Sequence, residues 1–403
     1  MESEDFNEQT TDVLKQELVE SIEDLLERKG SSKNSRESSL TAYCRCLTAH
    51  HLADVLYGKV LDLLGALSRS IKAETTEKET VLALRAVSLT AITYATDTLY
   101  EAVADLLKRT ISDSQSMATK TAAIQCLGDC LSFGGAGDEE VMEVMSMLLD
   151  IVSSDGGTID ANDDPHVVAA ALQTYGFLAT QVEDVEAESE EAVGFFLDQL
   201  DSTDTGVQIA AGENIALFFE KSYTPREEDE ESSDEDHKIE ESSDEESGPG
   251  DSNLVKRYSA FHNPGEVLEK VKGLEGFSTK SMNRRDKRLL HQSFASIKMT
   301  VESPNVGLQT NNASKMTVRI HREGEMKIDK WWKLMRLNVI RRLLGGGFVN
   351  HYFEGNKQVL NALPLILRST GVEGVRSPKG GYTSKAVKGR FRRNVVTAGD
   401  DYE

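Results

Sequence analysis

The chain has 403 residues, with 45 Lys and Arg against 68 Asp and Glu and a formal net charge of −23. Hydrophobic residues make up 39% but aromatics only 6%, so the apolar mass is Leu, Val, Ala and Ile, which suits helix faces and disfavours an all-β fold. No run of about 18 uncharged apolar residues occurs, and Met1-Glu2-Ser3-Glu4-Asp5 has neither the basic nor the apolar part of a signal peptide, so a cytoplasmic or nuclear protein is expected.

Residues 1–11 carry no apolar periodicity and are expected to be disordered. From there to 223 apolar side chains recur at helical spacing, as in Leu14, Leu18, Ile22, Leu25 and Leu26. The predicted helices are 12–28, 37–54, 55–73, 77–94, 98–111, 116–132, 138–153, 164–181, 186–200 and 204–221. Short polar or glycine-rich breaks such as Gly134-Gly135-Ala136-Gly137 and Asn162-Asp163-Asp164-Pro165 separate them. One helix pair per roughly 40 residues is the period of armadillo- and HEAT-type arrays. The expected fold class is all-α, an armadillo/HEAT-like α-solenoid over 12–223 followed by a smaller, mainly helical basic region with a short β-hairpin. Small and apolar residues alternate in Leu84–Leu89, Ala122–Gly128 and Ala170–Phe177, a pattern suited to a tightly packed inner helix.

An acidic segment, 224–264, comes next and is expected to be a disordered linker. Residues 227–246 hold 13 acidic side chains and one lysine, Lys238. Up to and including Glu246 there are 17 basic and 54 acidic residues, a net of −37; beyond it there are 28 and 14, a net of +14. Such a split points to two surfaces for different partners. Ser232, Ser233, Ser242 and Ser243 precede acids by up to three positions, which makes them candidates for an acidophilic kinase.

The basic region is expected at 265–370, with a basic disordered tail at 371–403. Arg284, Arg285, Lys287 and Arg288 open a cationic amphipathic helix. Met316 to Arg322 alternates with period two as a strand, Glu323-Gly324 turns, and Met326–Ile328 returns. Asp329 is the expected N-cap of a helix to Leu344, and Gly345-Gly346-Gly347 ends it. A second helix is expected over 356–368, in which Pro364 makes a kink or marks a new start. Trp331 is assigned to the core; Trp332 and His351 are the candidates for a partner surface. Lys333, Arg336, Arg341 and Arg342 form a basic stripe by helical spacing. Residues 376–393 hold seven basic and no acidic side chains, among them Lys379, Lys385, Lys388, Arg390, Arg392 and Arg393, with Tyr382 and Phe391 placed to stack on bases. Together with the block at 284–288 and the stripe of Lys333, Arg336, Arg341 and Arg342, these are the candidate ribosome- or RNA-binding residues, reading backbone and shape because no base-reading module is visible.

Glu325-Met326-Lys327-Ile328-Asp329-Lys330-Trp331-Trp332, Arg341-Arg342-Leu343-Leu344-Gly345-Gly346-Gly347-Phe348 and His351-Tyr352-Phe353 resemble the C-terminal signature of the interferon-related developmental regulator family. Ser281 to Arg288 followed by Gln292-Ser293-Phe294 is similar to its basic block, and the array around 61–149 to its armadillo-like N-terminal domain. The resemblance implies a non-enzymatic regulator. Relatives are transcriptional co-regulators working with histone-deacetylase corepressors, or ribosome-binding factors that silence translation. Ribosomes or other RNA are therefore the first expected partners. Chromatin corepressor proteins docked in the solenoid groove are the alternative.

Nothing points to catalysis. Cys44, Cys46, Cys126 and Cys130 are too few for a disulfide scaffold and lack zinc spacing, as do His50, His51 and His351. The two glycine runs lack the Lys-Ser/Thr of a P-loop. No metal, cofactor, membrane or small-molecule substrate is expected.

Overall fold

The computed structural model describes residues 2–27, 30–226, 254–276, 282–307, 316–320, 324–364 and 367–368, of which 2–10, 316–320 and 367–368 are described by backbone alone. Helix α1 (Glu2–Glu27) precedes α2 (Lys33–Ala49), α3 (Ala53–Leu56) and α4 (Val60–Ala73). Then follow α5 (Glu77–Thr93), α6 (Leu99–Asp113), α7 (Met117–Phe133), α8 (Asp138–Ser153), α9 (Pro165–Ala179), α10 (Glu186–Gln199) and α11 (Thr205–Lys221). The first helix thus starts ten residues before Asp12, and the helix expected over 55–73 is broken at Gly58, whose φ of 71° is left-handed.

The helices pair as hairpins, α1 with α2, α4 with α5, α6 with α7, α8 with α9 and α10 with α11. The second members stack on one another, α2 on α5, α5 on α7, α7 on α9 and α9 on α11, so the array has an outer and an inner layer and is an all-α solenoid. Each turn into an inner helix carries a side-chain cap: Ser32 accepts from Ser35 N–H, Thr76 from Glu79, Ser116 from Thr119, Asp164 from His166 and Val167, Asp204 from Gly206 and Val207. The inner helices α5, α7, α9 and α11 are buried on several sides, so they have little polar face and use small residues where they touch. A Cβ on Gly128 would lie 2.3 Å from Thr174 Cγ2, and one on Gly176 2.1 Å from Asn214 Oδ1.

The array does not stop at 223. Strands β1 (Tyr223–Pro225) and β2 (Leu254–Lys256) pair antiparallel and bring the two ends of the acidic segment together. Helices α12 (Pro264–Glu275) and α13 (Arg284–Glu302) then form a sixth hairpin, with α13 stacked on α11. Gly212 of α11 is the reason for the fit: a Cβ there would meet Ile297 Cδ1 at 2.7 Å and Phe294 Cε1 at 3.1 Å. The first part of the basic region is therefore the last repeat and not part of a separate domain.

Strands β3 (Met316–Ile320) and β4 (Gly324–Ile328) form the expected hairpin, with Val318 opposite Met326, and β5 (Leu367–Arg368) adds to β4. After α14 (Trp331–Leu344) come a 3-10 turn at Gly345–Gly347 and α15 (Phe348–Phe353), and the helix expected over 356–368 is shortened to α16 (Lys357–Ala362), with Leu367–Arg368 in β5. Pro364 lies beyond α16 rather than inside a helix.

Candidate functional site: the inner-layer face and its strap

Residues 331–363 form a strap across the inner layer, running against the order of the repeats: α14 packs on α11, α9, α5 and α2, α15 on α2, and α16 on α5. At its start Glu220 of α11, only 6% exposed, accepts from Trp331 N–H at 2.9 and 3.0 Å through its two oxygens. This is the carboxylate that meets the open end of α14, in place of the expected Asp329, which instead takes Lys333 Nζ at 2.5 Å. Burial pushes the Glu220 carboxyl up to about 7, against the pull of the Trp331 N–H and Lys330. The Trp331 indole is buried and donates to Thr300 Oγ1 at 2.7 Å, tying the strap to α13 as well.

Along α14, Arg336 donates from Nε to Thr180 Oγ1 at 3.0 Å and from Nη2 to the Thr180 carbonyl at 2.6 Å. Arg342 donates from Nη2 to Asp129 Oδ1 at 2.6 Å, and Asp129 is fully buried in α7. The Arg341 guanidinium lies over the Phe348 ring at 5.9 Å. Burial lowers the pKa of both Arg336 and Arg341. Of the stripe read from helical spacing, Arg336 and Arg342 are thus occupied by the inner layer and Arg341 by the strap itself. Helical spacing alone cannot show this, because it does not reveal that a charged face lies on another element.

Trp332 is half-buried, with Arg336 at 4.9 Å and Lys333 at 5.4 Å from its ring centroid, two cation–π contacts within the strap. His351 is fully buried, which removes it from the partner surface: its Nε2 donates to the Leu47 carbonyl at 2.9 Å, and its Nδ1 accepts from Asn356 Nδ2 at 3.0 Å. Burial lowers its pKa to about 4, so the ring is neutral. Asn356 also donates to the Ile92 carbonyl at 3.0 Å. Beside them Glu354 accepts from His50 Nδ1 at 2.5 Å and from His51 N–H at 2.7 Å. Gly345 sits at φ 52°, and Gly347 lies so close to α2 that a Cβ would fall 1.9 Å from the Thr48 carbonyl oxygen.

The basic start of α13 faces outward. Arg284, Arg285 and Arg288 are exposed and Lys287 half-buried, behind an N-cap in which Asn283 Oδ1 accepts from Asp286 N–H at 2.8 Å. Leu289, 52% exposed, adjoins them. Lys379, Lys385, Lys388, Arg390, Arg392 and Arg393 lie outside the described residues, as do Ser232, Ser233, Ser242 and Ser243. Among the described residues no three His, Cys, Asp or Glu side chains gather as metal ligands, and no helix is long and apolar enough to cross a membrane.

The residues that sequence reading missed are Asp129, Glu220 and Thr180. The first two had a signal, since each is a carboxylate inside a small or apolar inner-helix run, Leu127-Gly128-Asp129-Cys130 and Ala216-Leu217-Phe218-Phe219-Glu220. A charge in such a run requires a partner from elsewhere in the chain.

The model of the interferon-related developmental regulator family matches residues 1–302, which takes in all six helix pairs and ends before the strap. An uncharacterized protein of the fission yeast Schizosaccharomyces pombe is 26% identical over 340 residues, 84% of this chain and 72% of its own length. With three quarters of its length under the family model, the chain belongs to the interferon-related developmental regulator family, a family of regulatory proteins.

Proposed function

We propose that the chain is a non-catalytic regulator that engages ribosomal particles in the cytoplasm through RNA phosphates, with the start of α13 as its contact surface. The observation that carries this reading is the exposure of Arg284, Arg285 and Arg288 at the end of the array, while the arginines of α14 are engaged inside the molecule. Guanidinium groups at a helix N-terminus neutralise phosphates and release counterions, a binding mode that needs no base-reading pocket. The basic residues of 376–393 add to the same field. The rival reading, a co-regulator that seats corepressor proteins on the inner-layer face, has that face covered by the strap from α11 to α2.

Sedimentation of the full chain with purified ribosomal particles at about 50 and 200 mM salt tests the proposal. Co-sedimentation that falls with salt and is lost in Arg284→Glu/Arg285→Glu/Arg288→Glu is the expected result. Migration away from the particles at low salt, or indifference to the triple variant, would remove the α13 surface from the account.

A further inference from the structure

A cavity of about 260 Å³ lies where α7, α9 and α11 meet α14. Its walls are unusual in charge. Asp129 is fully buried and uses Oδ1 for Arg342, and among the described residues its Oδ2 has no hydrogen-bond partner; nor does Oδ1 of Asn214, which is 1% exposed. Glu213 stands half-buried in the same wall and makes no hydrogen bond or ion pair among the described residues. Burial pushes its carboxyl up to about 7 with no cation to oppose it. Arg342, the one cationic side chain of the lining, is already matched to Asp129. An ionised Glu213 therefore leaves the cavity one negative charge in excess, with two orphan acceptors adding to the potential.

The rest of the lining is apolar below and polar above. Leu172, Phe177, Met335 and Val339 supply walls, and the exposed Gln173 and Asn338 supply amides near the surface. That combination fits an aliphatic stem ending in a positive group. The larger cleft of about 470 Å³ beside α2 lacks this excess, since Glu37 there pairs with Lys78 and Glu17 with Arg45.

We propose that the cavity is a recognition pocket for an organic cation, a guanidinium or primary ammonium on an aliphatic stem, with Glu213 as its counter-ion. A Lys or Arg side chain presented by a partner and a free polyamine share this chemistry. The pocket is independent of the α13 surface and stands or falls separately from it.

The chain's two tryptophans, Trp331 and Trp332, lie on α14 within two turns of Asn338 and make their fluorescence a local reporter. The full chain is titrated with acetyl-arginine amide and, separately, with spermidine, each followed by fluorescence and calorimetry. Saturable one-to-one binding is expected, weakened at least about tenfold in Glu213→Gln, the worth of a charged hydrogen bond, and unchanged in Glu139→Gln on the exposed face of α8. A second variant, Asn338→Phe, closes the mouth without touching the charge and should also lose binding. Preference for acetyl-arginine amide identifies a side-chain pocket, and preference for spermidine a polyamine pocket. No saturable binding of either probe up to about 10 mM, or equal binding by wild type and both variants, overturns the proposal.

Discussion

Glu213 and Glu220 lie two turns apart on α11, and both are carboxylates drawn out of water with pKa values pushed up to about 7. Each binds a proton in the folded chain that the unfolded chain releases between its ordinary value of 4.5 and about 7. Their contribution to stability is therefore fully present below pH 4.5 and is lost as pH rises through 7. His351 has the opposite sign: held neutral, with a pKa near 4 against an ordinary 6.5, it contributes stability above pH 6.5 that is lost as pH falls toward 4. Because the two effects oppose each other, variants separate them. Glu213→Gln should raise the melting temperature at pH 8, and the gain should vanish by pH 5; a gain equal at both pH values would show that Glu213 is not the titrating group. Cys126 and Cys130, one turn apart with sulfurs 4.0 Å from each other, are buried packing groups of α7. Their neighbours in the sequence, small and apolar, already pointed to such a role, whereas nothing local to Glu213 shows the cavity it shares with Met335, Asn338 and Val339 of α14.

At the scale of the element, α14 is held by charge at both ends and by fit at its exit. Arg342→Met leaves Asp129 buried without a cation, at an expected cost of about 2–5 kcal/mol in urea denaturation. Asp129→Leu in the same chain should recover most of that loss, since removing both partners leaves no unpaired charge; additive losses would deny the coupling. Gly347→Ala cannot be accommodated against the Thr48 carbonyl without moving the strap. Limited proteolysis should then cut within 331–363 faster than in wild type, with the array itself intact. Helix α14 was legible from its apolar period and its glycine stop. Its helical spacing gives one basic stripe, whereas Arg336 and Arg342 bond to the inner layer and Arg341 lies over Phe348 of the strap. The N-cap shows the same limit. Asp329 had the right chemistry and position, but the buried Glu220 reached the helix end from another element, and a carboxylate in low dielectric attracts those N–H groups more strongly.

Over the whole molecule the charge boundary and the fold boundary do not coincide. The net charge changes sign after Glu246, yet the stack of inner helices continues from α11 to α13, with the ends of the acidic segment clamped by β1 and β2. An acidic segment in the same chain as the exposed arginines of α13 competes with an anionic partner at high effective concentration. Removal of residues 227–246 should tighten binding of the full chain to ribosomal RNA and steepen its salt dependence, as read in filter binding across a salt series; unchanged affinity would make the segment a spacer. Periodicity, cap residues and the small-residue runs of α5, α7 and α9 were enough to read an all-α repeat array from the chain alone, because helix pairs and their caps are local features that repeat every 40 to 48 residues. Long-range contact alone decided that α12 and α13 belong to that array, that 331–363 lies across its inner face, and which cations remain open to solvent. Those outcomes rest on glycine-sized gaps and single buried carboxylates whose partners lie up to about 300 residues away, and no local pattern encodes such a pairing.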